Sequence, residues 1–413
     1  MSPLRPELPP AIVLGIDTPI GLTVVRELGE HGVAVHGIAR NRRGIGLYSR
    51  WLHRGYLRPP DADGMIALLN RIARESGAAF LLTISMNDAL AMREAGEAGA
   101  LPGLRPLIAP RAKLELVNDK LRVCAIAAGL GIPVPATWEP TVAELEAGIP
   151  GHLSYPCILK WRDPERDAAP LARHGLKLLK SEHAADADAL RQALERYRPA
   201  GRFPLVQSFC PGRGLGQMFL MKNGEALLRF QHERLAEWPP DGGTSTVCRS
   251  LPPEANAALM AQSEALLRHI GWQGAAMVEY RFDPATGRTA LMEINGRFWG
   301  SLPLAYHAGV QFAWGTYCAL GLERRPETGP YRAGLRCRYM IPEIRRLLTV
   351  VLRRRTLNDP RHRGPLREVL SFLADFLRFP TSYYVFSWRD PRPFLADMVL
   401  APMAKLGGIW RRR

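Results

Sequence analysis

The chain has 413 residues, 47% hydrophobic and 23% charged, a size and balance that call for about two to four domains with sizeable cores and exclude disorder. No apolar run approaches the ~18 residues of a membrane-spanning helix, and the opening M-S-P-L-R-P-E-L-P-P has no secretory apolar core, so a cytoplasmic protein is expected. Lys and Arg number 55 against 39 Asp and Glu, a net +16, yet residues 331–413 hold 18 of the cations and 6 of the acids, so the excess describes the tail and gives no case for nucleic-acid binding.

In chain order, residues 11–16 (A-I-V-L-G-I) read as a buried strand, L-T-V-V-R-E-L-G-E-H-G as an amphipathic helix and V-A-V-H-G-I as a second strand. Residues 65–76 have helical spacing, 80–84 (F-L-L-T-I) form a strand and 88–98 another helix. Residues 10–115 therefore form one doubly wound α/β domain. Its first loop, G-I-D-T-P-I-G, lacks the G-x-G-x-x-G spacing with which backbone approaches a pyrophosphate, so a tight turn is favoured over a dinucleotide site.

From Asn118 a helix runs to about residue 128, where Gly129, Gly131, Pro133 and Pro135 stop it. P-C-I-L-K (156–160) and F-P-L-V-Q-S-F (203–209) read as strands around a helix near 185–197, and the polar, breaker-rich residues 163–174 as a loop. Residues 254–270 are helical, and 275–282 and 289–295 are strands joined by D-P-A-T-G-R. No internal repeat is present. The six cysteines are scattered with no C-x-x-C pair, as expected of reduced thiols and not of a zinc cage.

The strand pair A-M-V-E-Y-R-F and T-A-L-M-E-I-N-G-R-F places Glu279 and Glu293 inside apolar runs, where an ionised carboxylate is costly unless compensated. With Asp283 opposite Thr289, Glu279 faces Glu293 and Asn295 follows on the same face. Such like charges repel by about 0.2–1 kcal/mol unless a cation lies between them. Three oxygen ligands of this kind suit Mg²⁺, which completes its shell with phosphate and water. A register shifted by one residue, with each carboxylate paired to Arg281 or Arg297, is the competing arrangement. Arg297, just past the strand, is suited to neutralising a transferring phosphoryl group.

Lysine is scarce, at 7 positions against 48 arginines. Asn118 or Asp119 is a candidate N-cap, so Lys120 falls in the first helical turn, where the helix dipole opposes a cation by about 0.3–1 kcal/mol unless an anion binds nearby. Lys160 ends the strand P-C-I-L-K, a second point from which an ammonium can reach phosphate.

Taken in order, N-D-K, G-I-P-V-P, P-C-I-L-K, L-V-Q-S-F-C-P-G, M-V-E-Y-R and L-M-E-I-N-G-R resemble the ATP-grasp superfamily of carboxylate-amine ligases, over about residues 10–325. The resemblance implies an α/β (α+β ATP-grasp) chain with a substrate-side domain at 10–115, a small lid at 116–205, a larger half of the clamp at 206–330 and a basic, mostly helical extension at 331–413. It assigns Lys120 and Lys160 to ATP phosphates, Gln207, Phe209 and Cys210 to the hinge at the adenine edge, Glu279, Glu293 and Asn295 to Mg²⁺ (or Mn²⁺), and Arg297 to the reacting phosphate. His232, Arg234, Gly242 and Gly243 are assigned to the acceptor side. The implied activity is an ADP-forming ligase acting on a small-molecule carboxylate and an amine through an acylphosphate. The chain departs from the pattern after Lys160, where W-R-D-P-E-R-D-A-A-P-L-A-R-H-G replaces a glycine-rich flap.

A non-catalytic ATP-binding or scaffold protein of the same fold is the rival reading, and a nicotinamide-dependent oxidoreductase is the weaker one. The assembly is open, a homodimer included. The tail carries Arg345, Arg346, the run at 353–355, the amphipathic L-R-E-V-L-S-F-L-A-D-F-L-R-F and a terminal W-R-R-R. Such a mix suits either peripheral contact with an anionic membrane at its inner face or helices packed on the clamp.

Overall fold

A computed structural model describes residues 8–162, 164–179, 181–239, 243–352 and 364–399. The chain divides into two compact units, one of residues 1–115, 215–278 and 295–413, the other of 116–214 and 279–294.

The first unit opens with β1 (Ala11–Leu14), α1 (Pro19–Glu30), β2 (Val35–Ala39), β3 (Arg54–Leu57), α2 (Ala62–Ser76), β4 (Phe80–Thr83), α3 (Met86–Glu97) and β5 (Arg105–Pro106). The strands form a parallel sheet in the order β3-β2-β1-β4-β5. This is the expected doubly wound domain. The start of α1 lies before the apolar repeat because Pro19 sits in the first turn and Thr18 caps it, its hydroxyl accepting the Gly21 N–H at 3.4 Å. Asp61 and Ser85 cap α2 and α3 in the same way. Sequence reading missed β3, an edge strand whose R-G-Y-L is mostly exposed and so carries no apolar run.

After α4 (Arg111–Asn118) the second unit contains α5 (Lys120–Gly129), β6 (Thr137–Trp138), α6 (Val142–Ala147), β7 (Cys157–Lys160), α7 (Pro164–Arg173), β8 (Glu182–Ala184), α8 (Ala187–Glu195) and β9 (Leu205–Ser208). Its four-stranded sheet has the order β6-β9-β7-β8, antiparallel throughout. Trp138, Leu159, Leu190, Leu194 and Val206 form its core.

The expected loop at 163–174 is instead the helix α7. Leu171 is fully buried against Trp161 and Tyr197, and Arg202 pairs with Asp167 at 3.1 Å, so packing outweighs the internal Pro170.

The first unit resumes with β10 (Arg213–Lys222), β11 (Glu225–Trp238), β12 (Thr244–Ser250) and α9 (Ala257–Ile270), then β13 (Gly274–Phe282) and β14 (Thr289–Asn295), whose facing ends at 279–294 belong to the second unit. α10 (Leu302–Ala308), α11 (Phe312–Thr316), β15 (Arg336–Arg338), α12 (Met340–Leu352), α13 (Pro365–Ala374) and β16 (Thr381–Tyr383) complete the labelled elements. The seven-stranded sheet runs β14-β13-β10-β11-β12-β15-β16. Its face and the N-terminal sheet share one core, which includes Val13, Val25, Leu82, Phe230, Trp299, Phe312 and Tyr384.

The tail is part of that core. The buried Arg26 guanidinium on α1 donates to Asp390 Oδ2 at 3.0 Å and to the Val385 carbonyl at 2.8 Å, and Ser49 donates to the same carboxylate at 2.7 Å. Arg338 on β15 is also fully buried, bidentate on Glu343 at 2.9 and 3.0 Å, with Phe372 and Phe376 against its guanidinium. The run at 353–355 and the terminal W-R-R-R lie outside the described residues. Among the described residues no helix is long and apolar enough to cross a membrane.

Candidate functional site

Asp119 caps α5, its carboxylate accepting the Leu121 and Arg122 N–H groups at 3.1 and 3.3 Å, which makes Lys120 the first helical residue, as expected from the sequence. Lys160 ends β7, paired with Leu205 of β9. Two residues further on, Arg162 joins the two places: it bonds Asp119 Oδ2 at 2.5 Å and Glu139 at 2.9 Å, tying the end of β7 to the start of α5. Sequence reading did not find Arg162, which looked like one more loop arginine.

The second unit brings both lysines to the β13–β14 hairpin. Lys120 Nζ lies 3.4 Å from Glu293 Oε2, and Glu279 is nearly buried on β13. Lys160 has its pKa pushed below the ordinary lysine value, first by burial and then by the neighbouring charge of Lys120, with Glu293 and Glu279 opposing. A cation therefore stands beside Glu293, the Lys120 ammonium. Arg281, on the same hairpin, adds its charge near Lys160 and donates to the Gly212 carbonyl at 3.3 Å. The hairpin loop closes with the Asp283 N–H on the Arg288 carbonyl at 2.9 Å, one residue short of the Thr289 partner expected from the sequence.

Gln207 is buried on β9, where its amide donates to Thr137 Oγ1 at 3.2 Å and its backbone is laddered between Thr137 of β6 and Ile158 of β7, so the free backbone of this segment begins beyond it. Phe209 is exposed beside His183 of β8, with ring centroids 6.0 Å apart. Cys210 is half-buried; burial raises its thiol pKa, and Lys160 and Arg281 nearby oppose the rise, so it lies within the same electrostatic neighbourhood. Gly212 is required where this segment passes β13: it has φ +95°, and a Cβ there would lie 2.0 Å from the Phe282 carbonyl oxygen.

Asn295 is the last residue of β14, two beyond Glu293, and Arg297 follows in the first unit, donating to the Phe298 carbonyl at 2.8 Å. Among the described residues no group of three His, Cys, Asp or Glu could hold a metal ion. The donors at 279, 293 and 295 are two carboxylates and an amide, a hard oxygen set that fits Mg²⁺ once phosphates supply the remaining ligands.

His232 and Arg234 lie on β11, and Gly243 directly before β12; Gly242 is outside the described residues. His232 is 1% exposed, with Nδ1 3.0 Å from Ser301 Oγ, and burial beside Arg234 lowers its pKa to about 3. The folded ring stays neutral where the unfolded ring, at about 6.5, takes up a proton. Stability is thus fully present above pH 6.5 and falls as pH drops toward 3, by about 1.4 kcal/mol per unit for this group. Urea unfolding between pH 7 and 4 should show that slope, and His232→Gln should reduce it by about one proton.

Residues 245–314 match the family described as carbamoyl-phosphate synthase L chain, ATP binding domain. The L-amino acid ligase from Bacillus licheniformis superposes with a TM-score of 0.56 at 18% identity, covering 76% of this chain and 74% of that one. N5-carboxyaminoimidazole synthetase from Staphylococcus aureus, complexed with ADP, gives 0.59 at 13% identity over 79% and 80%. The chain has the ATP-grasp fold. The biotin carboxylase domain of Hydrogenobacter thermophilus 2-oxoglutarate carboxylase, in complex with MgADP, ADP and bicarbonate, is likewise similar, at 0.59 and 17% identity over 79% and 73%. No curated protein matches the chain by sequence.

Proposed function

We propose that this protein is an ATP-dependent ligase that joins a small-molecule carboxylate to an amine and releases ADP and phosphate. The observation that carries the reading is the convergence of Lys120, Lys160, Glu279 and Glu293 within one unit of an ATP-grasp fold. Lys120 and Lys160 hold the nucleotide phosphates, and the segment that leaves β9 after Gln207, at Phe209 and Cys210, meets the adenine edge. Glu279, Glu293 and Asn295 would hold Mg²⁺, which neutralises phosphate charge when bound. The substrate carboxylate attacks the γ-phosphorus, ADP leaves, and an acylphosphate remains. Arg297 stabilises the charge on that phosphate while the amine attacks the acyl carbon and inorganic phosphate departs. The amine loses one proton in forming the amide.

The reading is tested by ADP release measured across pairs of carboxylates and amines: turnover that requires both members supports it, and ATP binding without turnover on any pair opposes it. The helix α7, in place of a glycine-rich flap, favours the second reading of an ATP-binding protein without ligase turnover, because its buried Leu171 resists the motion a flap needs.

The lowered pKa of Lys160 has a consequence for binding. Phosphate needs the ammonium, so ATP affinity should fall with rising pH before an ordinary lysine would deprotonate at 10.5. Titration of ATP between pH 7 and 10 should show this loss, and Lys160→Arg, which keeps its charge, should remove it.

A further inference from the structure

Among the described residues, fourteen of the twenty-one exposed large apolar side chains lie between Ile344 and Val399. They are ordered. Ile344, Leu348, Val351 and Leu352 fall on one face of α12, and Leu366, Leu370, Leu373 and Leu377 on one face of α13 and the turn after it, at intervals of three and four. Leu352 is 77%, Leu377 80% and both Phe379 and Trp388 88% exposed, so these faces are turned away from the core.

The charge of the same segment is sorted. Glu343 is held by Arg338, Glu368 by Arg346 at 3.0 Å, Asp375 by Arg336 at 2.7 Å and Asp390 by Arg26 at 3.0 Å, while Asp397 is half-buried near Arg345. Of the six acids after residue 330 only Asp359 lies outside the described residues. Arginines 367, 389 and 392 remain exposed, Arg389 next to Trp388 and Arg392 three residues before Leu395 on one helical face. The exposed side chains of this segment are therefore apolar residues interspersed with arginines.

The geometry points to an anionic lipid surface as the occupant of this face, with the leucines, Phe379 and Trp388 entering the acyl boundary and the arginines meeting lipid phosphates. A second copy is a poorer fit, because a twofold contact sets the same cationic patch against itself. A nucleic-acid backbone would leave the leucine stripes in water. This inference does not rest on the ligase reading.

The full chain should co-sediment with phosphatidylcholine vesicles that contain phosphatidylglycerol, and much less with phosphatidylcholine alone. Leu370→Asp with Leu377→Asp, both at exposed positions, should weaken the partitioning by about tenfold or more while leaving the thermal midpoint unchanged. Arg389→Gln with Arg392→Gln should weaken it only where phosphatidylglycerol is present. Absence of vesicle binding, equal binding to both lipid mixtures, or a stable dimer in sedimentation that the double aspartate variant dissolves would each overturn the proposal, the last by giving the face to a second copy.

Discussion

Glu293→Gln should lower ligase turnover by about a hundredfold or more and raise the Mg²⁺ concentration needed for half-maximal rate. The carboxylate is one of two in the strands of the hairpin, Asp283 lying in its loop, and in the proposed role several kcal/mol of phosphate-charge stabilisation depend on the oxygen set it completes, at about 1.4 kcal/mol per factor of ten. Glu293 also faces Lys120 at 3.4 Å, so two outcomes need separating. Loss of the ligand role raises the Mg²⁺ requirement; loss of the ion pair alone changes nucleotide affinity. Lys120→Met should show the second behaviour without the first: a higher Kd for ATP at an unchanged Mg²⁺ requirement. Turnover measured over a Mg²⁺ series, alongside calorimetry with ATP, distinguishes them. A Glu293→Gln enzyme with normal turnover would remove Glu293 from the metal set.

The second large effect is on stability. Arg338→Met should cost about 3–5 kcal/mol, because it leaves Glu343 buried without its counter-charge and strips the aromatic faces of Phe372 and Phe376 of a cation. Replacing both partners, Arg338→Met with Glu343→Leu, should recover most of that loss, since a buried pair replaced by apolar groups is near neutral. Urea unfolding of the two variants and the parent measures both numbers. A single variant as stable as the parent would mean that the pair contributes nothing net.

How much of this was legible beforehand depends on where each signal lies. The N-terminal sheet was readable because β1, β2 and β4 are buried apolar runs with a capped helix between β1 and β2. β10, β11 and β12 were not read as strands. In β11 the register shifts between Arg234 and Ala236 and again before Glu237, so alternation breaks, and Gln231, His232 and Glu233 are buried where a sequence reading puts polar residues outside. The helix α7 was hidden by its prolines: Leu171 gains its buried neighbours Trp161 and Tyr197 only from distant parts of the chain.

The candidate site divides along the same line. Lys120 follows a capping residue and Lys160 ends an apolar strand, and a lysine in an arginine-rich chain is conspicuous at either place. Arg162 carried no such mark, since its partners Asp119 and Glu139 are 43 and 23 residues away.

By itself the sequence determined the parallel α/β start, the first helical turn that holds Lys120, the strand that carries Lys160 and the strands that carry Glu279 and Glu293, because each follows from propensities acting over a few residues. Only the tertiary structure decided that these groups share one neighbourhood, that the described acids of the tail lie beside arginines, and that its leucine stripes face outward. Those outcomes are set by burial and charge pairing between segments up to 364 residues apart, which no local pattern encodes.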